Sequence, residues 1–518
     1  MKSYIHLIIF ILFAIISPAA IHAAPANTEL IVHVKPGLSQ SMDWPRDVLD
    51  NRRIPKTDVF RLQVPSPQAD RILLQLRRDS RIINADMAKM GSFPPESQQT
   101  GFQETATWQE MIHLTDIQKI SDGRDIVVAL LDSGIDVGSA YFRSMLWTNP
   151  GEIPNDGIDN DENGYVDDVV GMNFGDDSNN IQDYMGHGTH MSSAMLTVAP
   201  NIRIMVVKIN QGGNNSFSEG DLMEAIYYAQ NNGADILNMS LNAPRTSGLE
   251  TAIQSAWQAG CVLNAAAGNS GEFAPIGFPA SMTETHAVGA MYTETEAASW
   301  FSTTGPEMDI MAPGVSIPVT GIGGSPEYTT GTSVSTAIIS GACAVILSMD
   351  NRLTPSALKD VLIRGVTDLG EPGRDDMYGY GILNGTALYD QVLVPVGQKT
   401  GTWDYTLPSQ TPIQLYINTT NLWNEEPHLE WFALTGTMQD LFLPVYLFTG
   451  TELVMVSGSM DLTAYTYPYG PEETTLVAEL RLHDLGLSAG DAFIFAYAYS
   501  TETGDIRFPE MVTIQVIK

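Results

Sequence analysis

The hydrophobic pattern changes three times along the chain, and each change indicates a different kind of structure. Short alternating runs at 29–37, 59–64 and 81–88 predict strands, and an apolar stripe with helical spacing after Ser66 predicts a helix between the last two. Together these elements predict a small α+β unit. The following stretch, SFPPESQQTG, is rich in Pro, Ser and Gln, which is typical of an exposed linker.

From about residue 105 to 390, nearly continuous apolar runs alternate with helical segments. The runs lie at 125–132, 203–210, 234–241 and 261–268 and consist mainly of β-branched and other apolar residues. Such runs are typical of parallel strands whose two faces are both covered by helices. We therefore expect an α/β fold with a doubly wound, mainly parallel sheet.

Beyond Val392 the helical spacing fades, and short alternating runs such as DAFIFAYAY and VTIQVIK take its place. This pattern predicts a C-terminal β-sandwich. Its aromatic residues fit either the core of a sandwich or a ligand-binding face, and no motif decides between the two.

The N-terminus carries a separate hydrophobic signal. Lys2 precedes a mostly apolar run from Ile5 to Ile16, and small residues continue through Ala26. The short apolar core and the small residues after it predict a signal peptide, with an uncleaved anchor as the alternative. We expect no stable membrane insertion after signal removal, and a location that is secreted or periplasmic.

The charge excludes one class of partner. Sixty acidic residues against 26 basic ones give a net charge of −34, and such a surface repels phosphate backbones, so we expect no nucleic acid partner. The first hundred residues hold 12 basic and 9 acidic residues and therefore look like a separable piece. Cys261 and Cys343 lie in apolar runs and are predicted to be buried small hydrophobes, with a disulfide or a reactive thiol as the alternative.

Three stretches of the central block place reactive side chains at strand ends or helix starts, where open α/β sheets bind their ligands. Asp132 ends an apolar strand in LLDSGID, His187 lies between glycines in GHGTH, and Ser333 begins an apolar helix after TGT. Taken singly, such residues are also explained without catalysis, as a turn former or a helix cap. Together, Asp, His and Ser in this chain order form one known arrangement of the hydrolytic triad. The same order excludes an α/β-hydrolase, whose nucleophile precedes its acid and base.

These motifs closely resemble those of the subtilisin-like serine proteases. Two further stretches, AAAGNSG and FSTTGPEMDIMAPG, also match, and the resemblance covers roughly residues 105 to 390. It implies that Ser333 is the nucleophile, His187 the general base, Asp132 the residue that orients the base, and Asn269 the oxyanion-binding amide. The implied activity is a secreted serine endopeptidase acting on protein or peptide substrates. The alternative is a catalytically inactive subtilisin-like protein that acts as a binding module.

The substrate-lining residues depart from the family pattern. The family usually has Ser-Leu-Gly where this chain has Ser240, Leu241 and Asn242, and the side chain of Asn242 leaves the preferred substrate residue open. The resemblance places Ala267 and Gly268 in the same substrate site.

An acidic insertion between Asp132 and His187 contains DNDENGYVD, with Asp159, Asp161 and Asn163 at alternate positions. It resembles the first nine positions of an EF-hand-type calcium loop, although the glutamate of position 12 is replaced by valine. We predict a structural Ca²⁺, with a plain solvated acidic loop as the alternative. The predicted ligands are Asp159, Asp161, Asn163, Tyr165, Asp167 and Asp168.

The N-terminal unit resembles the inhibitory propeptides of the same family. This implies a zymogen whose own propeptide acts as an intramolecular inhibitor until self-cleavage, and a permanent accessory domain is the alternative. The predicted boundaries are 1–24 for the signal peptide, 25–104 for the propeptide and linker, 105–392 for the catalytic domain and 393–518 for the C-terminal β-sandwich.

Overall fold

The structure, a computed structural model, describes residues 27–94, 107–292 and 297–392, and beyond these eight strands between 403 and 517. The predicted signal peptide and the part of the predicted linker after residue 94 lie outside the described residues. The start of that linker is not exposed as predicted, since Ser92 ends a strand and Phe93 is buried. Contacts divide the chain into two units, with the boundary after Leu388.

The first unit contains the N-terminal α+β elements and the central α/β elements. Its strands are β1 (Asn27–Val34), β2 (Asp50–Arg53), β3 (Val59–Pro65), β4 (Ile82–Met87), β5 (Met90–Ser92), β6 (Val127–Asp132), β7 (Gly171–Asn173), β8 (Arg203–Lys208), β9 (Ser216–Ser218), β10 (Ile236–Met239), β11 (Val262–Ala266), β12 (His286–Met291), β13 (Ile310–Pro313), β14 (Ile317–Thr320), β15 (Pro326–Thr329), β16 (Val366–Thr367) and β17 (Ile382–Leu383). Its helices are α1 (Ala69–Leu76), α2 (Trp108–Met111), α3 (Leu114–Ile120), α4 (Ala140–Arg143), α5 (His187–Val198), α6 (Glu219–Asn231), α7 (Ser247–Gln258), α8 (Thr332–Met349), α9 (Pro355–Arg364) and α10 (Gly385–Val392), the last of which continues past the boundary.

The N-terminal part is a four-stranded antiparallel sheet in the order β2-β3-β1-β4, with α1 packed against it. The helix begins later than the sequence predicts. Ser66 starts a short 3-10 turn instead of capping the helix, and its hydroxyl accepts a hydrogen bond of 2.9 Å from Thr28. The polar edge strand β2 has no apolar alternation, so the hydrophobic pattern could not predict it.

The central part is a nine-stranded sheet in the order β16-β17-β13-β12-β11-β10-β6-β8-β7. Its pairs are parallel except for β16 with β17, which confirms the predicted α/β fold. Helices α5 and α8 pack against each other, and α8 lies along β10, β11, β12 and β13. Of the described helices, α8 alone is long and apolar enough to cross a membrane, and 89% of it is buried inside the fold.

Both cysteines are buried and free. Burial raises the pKa of Cys261 and of Cys343 to about 12, so neither is a thiolate at neutral pH. The prediction of small buried hydrophobes is therefore confirmed for both.

The second unit begins at Tyr389, and its described residues beyond Val392 are all in strands. The strands are β18 (Trp403–Pro408), β19 (Pro412–Asn418), β20 (Glu430–Gly436), β21 (Val445–Phe448), β22 (Leu453–Val456), β23 (Thr474–Arg481), β24 (Ala492–Ser500) and β25 (Ile506–Ile517). They form a six-stranded sheet in the order β18-β25-β24-β20-β21-β22 and a two-stranded sheet of β19 with β23. The packing of these sheets as a sandwich stays a prediction.

Candidate active site

Asp132 and His187 form a buried hydrogen-bonded pair. Asp132 is the last residue of β6, His187 is the first residue of α5, and His187 Nδ1 lies 2.7 Å from Asp132 Oδ1. Burial raises the pKa of Asp132, while His187 and the N–H of Ser133 act in the opposite direction. The carboxylate fixes the orientation of the imidazole and favours the tautomer with its proton on Nδ1.

The loop before α5 holds His187 in place through Asp183. The carboxylate of Asp183 accepts hydrogen bonds from the main-chain N–H groups of Gly186 at 2.8 Å and Thr189 at 3.0 Å, and from the hydroxyl of Ser133 at 3.0 Å. It thereby satisfies N–H groups at the start of the helix and links that helix to the residue after Asp132. Sequence reasoning missed Asp183, although an Asp just before a helix is a capping signal.

Ser333 lies at the same edge of the sheet as this pair. The parallel pairing of β6 with β10 aligns Leu130 with Asn238, so Asp132 and Ser240 occupy neighbouring positions two residues further on. The hydroxyl of Ser240 donates a hydrogen bond of 2.9 Å to the main-chain oxygen of Ser333. Asp132 and the residue bonded to the main chain of Ser333 therefore lie at the carboxyl ends of adjacent strands.

The side chain of Ser333 is buried at the start of α8. Its Oγ makes no hydrogen bond to any residue in the described part of the chain. A buried hydroxyl without a partner is uncommon in a stable core and is typical of a functional site.

Asn269 is hydrogen-bonded to the start of α8, at the residue before Ser333. Asn269 Oδ1 accepts hydrogen bonds from the N–H of Thr332 at 2.9 Å and from its hydroxyl at 2.8 Å, which fixes the amide. A Cβ added to Gly331 would lie 3.0 Å from Asn269 Nδ2 and 3.7 Å from the nitrogen of Ser333. The side-chain nitrogen of Asn269 and the main-chain nitrogen of Ser333 therefore both lie close to Gly331, two residues before the serine. Sequence reasoning did not identify Thr332 as the residue that orients Asn269.

The predicted substrate-binding segments face each other across Gly277. The N–H of Gly277 donates a hydrogen bond of 3.1 Å to the oxygen of Ala267, next to Gly268 in the chain, and a Cβ at Gly277 would collide with Asn242 Oδ1. Asn242 Oδ1 is buried and has no hydrogen-bond partner among the described residues. The amide of Asn242 therefore fills space between the two segments. Leu241 is buried in the core.

A strand from the N-terminal α+β part lies between β9 and Asn242. Strand β5 pairs antiparallel with β9, and Ser92 exchanges two main-chain hydrogen bonds of 2.9 Å with Asn242. The next residue, Phe93, is buried with its ring centroid 5.1 Å from that of His187. Strand β5 is therefore paired on both sides, as an added β-strand is when a peptide binds to a sheet edge.

The N-terminal α+β part (strands β1–β5 and helix α1) also contacts α6 through buried charged side chains. Arg61 of β3 pairs with Glu29 of its own unit and with Asp221 and Glu224 of α6. Arg52 of β2 pairs with Glu224 as well. Burial raises the pKa of Asp221 to about 7, although the charge of Arg61 acts against this. Removal of the N-terminal unit would take these cations away from the acidic face of α6.

Comparison with known proteins identifies the family. The model of the subtilase family matches residues 123 to 381. The chain is 37% identical over 276 residues to the subtilisin of Bacillus pumilus, and the aligned part makes up 51% of this chain and 90% of the relative. It is 35% identical over 230 residues to subtilisin DY of Bacillus licheniformis, which covers 42% of this chain and 80% of the relative. It is also 37% identical over 276 residues to subtilisin E of Bacillus subtilis (strain 168), which covers 51% of this chain and 65% of the relative.

The chain belongs to the subtilase family of serine peptidases. The matched residues include Asp132, His187, Asn269 and Ser333, so the geometry described above belongs to the part of the chain that is similar to subtilisins.

The acidic loop of this subtilase brings three carboxylates together. Among the described residues, oxygen atoms of Glu152, Asp161 and Asp168 lie within 4.8 Å of one another, with Glu152 and Asp168 buried. The amide of Asn149 donates hydrogen bonds to Asp161 at 3.1 Å and to Asp168 at 3.2 Å. Burial, together with the charges of Asp161 and Glu152, raises the pKa of Asp168. The cluster is therefore a set of hard oxygen donors held close despite their mutual repulsion.

Asn163 contacts the cluster, since its amide donates hydrogen bonds to Asp161 at 3.2 Å and to Asp168 at 3.0 Å. The remaining predicted calcium ligands make different contacts. The carboxylate of Asp159 accepts from the N–H groups of Asn163 and Gly164 at 3.0 and 2.9 Å, and that of Asp167 accepts from two N–H groups near residue 156 at 3.1 Å. The hydroxyl of Tyr165 donates to Glu224. Two of the six predicted ligands, Asp161 and Asp168, thus lie in the cluster, and the alternate spacing could not indicate Glu152 because it precedes the motif.

Proposed function

We propose that this subtilase is a secreted serine endopeptidase made as a zymogen, with Asp132, His187 and Ser333 as its triad. The observation that carries the proposal is the buried 2.7 Å contact between His187 and Asp132 at the edge where Ser240 holds Ser333. An inactive binding protein is not favoured, since every reacting group is intact. The acylation and deacylation that follow use catalytic groups of this chain together with the substrate and water.

The proposed reaction begins when Ser333 Oγ attacks the carbonyl carbon of a peptide bond and His187 Nε2 takes the hydroxyl proton. Asp132 stabilises the imidazolium that forms. The negative charge on the substrate oxygen is held by Asn269 Nδ2 and the N–H of Ser333, whose nitrogens both lie close to Gly331. His187 then passes its proton to the leaving amine as the carbon–nitrogen bond breaks. A water molecule, deprotonated by His187, cleaves the acyl ester and restores Ser333.

The zymogen proposal is supported by residues 90–94. Strand β5 (90–92) lies between β9 and Asn242, and Phe93 lies against His187, so a substrate could not bind along Asn242 while this segment is there. Secretion is supported by the hydrophobic N-terminus predicted as a signal peptide over 1–24.

The decisive test of the activity is digestion of a proteome-derived peptide library with the purified mature protein. We expect cleavage of internal peptide bonds, with new termini that share a residue preference. Release of single terminal residues only, or no cleavage at all, would contradict the endopeptidase proposal.

The acidic cluster fits a calcium ion. Its carboxylate oxygens are the hard donors that Ca²⁺ prefers, and their closeness is repulsive without a cation. We propose that Glu152, Asp161 and Asp168 hold the ion and that it stabilises the loop before α5. It supplies no step of the reaction.

Calcium should therefore raise the melting temperature of the protein. Binding at a hundredfold excess over Kd adds about 2.7 kcal/mol to the free energy of unfolding. We expect a lower melting temperature in excess chelator, and Asp161→Asn should remove most of the difference. Glu162→Gln, an exposed change in the same loop, should keep it. Equal melting temperatures for the wild type in calcium and in chelator would exclude the ion.

Asn242 should restrict the P1 residue, the substrate residue whose carbonyl is attacked. Because its amide fills space against Gly277, we expect the wild type to prefer alanine over phenylalanine at P1. Asn242→Gly should shift the ratio of kcat/KM values towards phenylalanine by at least about tenfold, the scale on which apolar pockets discriminate by size. Asn242→Asp has the same volume and should keep the preference for alanine. An unchanged ratio in Asn242→Gly would show that this side chain does not border the pocket.

A further inference from the structure

A chain of five hydrogen bonds crosses the core beneath Ser333. It runs from His286 Nδ1 to Asn264 Oδ1 (2.6 Å), from Asn264 Nδ2 to Ser340 Oγ (3.0 Å), from Ser340 Oγ to Asn238 Oδ1 (2.9 Å), from Asn238 Nδ2 to Ser240 Oγ (3.1 Å) and from Ser240 Oγ to Ser333 O (2.9 Å). His286 is 4% exposed, and the other four side chains are fully buried. The chain of hydrogen bonds therefore ends at the main-chain oxygen of Ser333, the proposed nucleophile.

All five bonds point in one direction. Each serine hydroxyl accepts from an amide, so its single proton goes to the next acceptor, and for Ser240 that acceptor is Ser333. At the other end, Asn264 Oδ1 is an acceptor, so His286 carries its proton on Nδ1. Burial lowers the pKa of His286 to about 3, and the ring is therefore neutral at ordinary pH. Bonds aligned in this way polarise and strengthen one another.

The polar side chains sit where a parallel sheet normally carries apolar ones. The register pairs Asn238 with Asn264 and Asn264 with His286, so these three lie side by side on β10, β11 and β12. Helix α8, which carries Ser340, packs along the same strands. Burying polar groups in such a core costs free energy unless each group is hydrogen-bonded. In this network, each polar side chain is bonded to the next one.

The other interelement hydrogen bonds of α8 lie nearer its two ends: Thr332 bonds to Asn269, Ser335 to main-chain oxygens of Ala312 and Pro313, and Ser348 to Ser121. The hydrogen-bond chain at Ser340 is the anchor in the middle of the helix. The helix reads TSVSTAIISGACAVILSM, in which small and aliphatic residues predominate, and these pack with few directional constraints. A shift of one residue along the axis would move Ser333 by about 1.5 Å. A misplacement of about 1 Å caused by a remote change can lower a rate about a hundredfold.

We propose that Asn238, Ser240, Asn264, His286 and Ser340 are positioning residues that fix α8 on the sheet. They fix the position of Ser333 along the axis of α8, and thereby its position relative to Asp132 and His187. This inference rests on the proposed function, since it concerns the reactivity of Ser333. The residues act through the main chain of Ser333. Ser240 also belongs to the predicted substrate-lining segment, so the test is made at Ser340, at the far side of the chain of bonds.

The test breaks the chain at Ser340, seven residues from Ser333. Active sites are first counted by titration with a fluorophosphonate, so that kcat refers to folded, reactive enzyme only. We expect Ser340→Ala to lower kcat per titrated site about tenfold with KM within about twofold, because the substrate groove is unchanged. Ser340→Thr keeps the hydroxyl and should retain most of the rate. Ser348→Ala removes a hydroxyl bonded to Ser121 and to the oxygen of Val345 on the same helix, and it should leave kcat unchanged.

A chain that only stabilised the fold would give a different result. Ser340→Ala would then lower the melting temperature and the titrated fraction but leave kcat per site at the wild-type value, which would overturn the inference. If Ser340→Ala does not fold, Ser340→Cys decides by the same criterion, because it keeps the volume and donates only weakly. A wild-type enzyme that does not titrate at all would instead refute the proposed function.

Discussion

Ser333→Ala should abolish both peptide hydrolysis and processing of the precursor. In a subtilisin, loss of the triad serine lowers kcat about a millionfold, and the Oγ atom has no substitute here because the neighbouring hydroxyl of Thr332 is committed to Asn269. We expect the variant to remain full length after the signal peptide is removed, while the wild type loses its N-terminal unit. Mass spectrometry of the two purified proteins measures this difference directly.

A suitable control for this experiment is Ser335→Ala, on the same helix. The hydroxyl of Ser335 bonds to main-chain oxygens of Ala312 and Pro313 at 3.2 and 3.0 Å, away from the proposed reacting groups. This control should process normally. Processing of Ser333→Ala at the wild-type site would mean that another protease removes the N-terminal unit, and the self-cleavage proposal would then fail.

Asp132→Asn should lower kcat about ten-thousandfold near neutral pH with little change in KM. The carboxylate accepts the Nδ1 proton of His187, whereas an amide in that position can instead donate to Nδ1 and place the imidazole proton on Nε2. An imidazole in that tautomer cannot accept the proton of Ser333. Steady-state kinetics on a peptide substrate, with fluorophosphonate titration of both proteins, checks this expectation.

Asp136→Asn is the matched control for the acid. Asp136 is also buried and lies on the same loop, but its carboxylate accepts from the N–H groups of Gly138 and Gly323 at 3.0 and 2.8 Å. We expect kcat within about threefold of the wild type, since no proton of the triad depends on it. A loss in Asp136→Asn as large as that in Asp132→Asn would show that any buried carboxylate on this loop matters, and would contradict a specific role for Asp132.

Much of this site can be predicted from the sequence because the residues that identify it lie in short sequence motifs. Asp132 follows an apolar strand, and His187 and Ser333 begin helices, so each has a position that a one-dimensional pattern can locate. The parallel α/β fold is readable for the same reason, since runs buried on both faces differ in composition from alternating ones.

The residues that sequence reasoning missed act through contacts between distant segments. Thr332 orients Asn269 across 63 residues, and Glu152 joins Asp168 from outside the acidic motif. Asn264 and Ser340 are bonded although 76 residues separate them, and each looks like an isolated polar residue in an apolar run. Only the strand register and the packing of α8 bring such residues together, and neither is encoded in local spacing.

Asn242, which replaces the glycine usual in the family, shows a second reason why sequence alone does not predict the whole site. The sequence indicates that a side chain replaces a glycine there, but the direction of the amide depends on Gly277, which lies 35 residues further along the chain. The size preference of the pocket is therefore a consequence of tertiary structure.

The central claim is that Ser333 is a nucleophile activated by His187 and Asp132. The most direct measurement is reaction of the mature wild-type protein with a fluorophosphonate, followed by peptide mapping of the adduct and assay of the remaining hydrolysis. The account predicts one adduct per molecule, on Ser333, with hydrolysis lost in proportion to labelling. Hydrolysis that persists in fully labelled protein, or an adduct on any other residue, would contradict it.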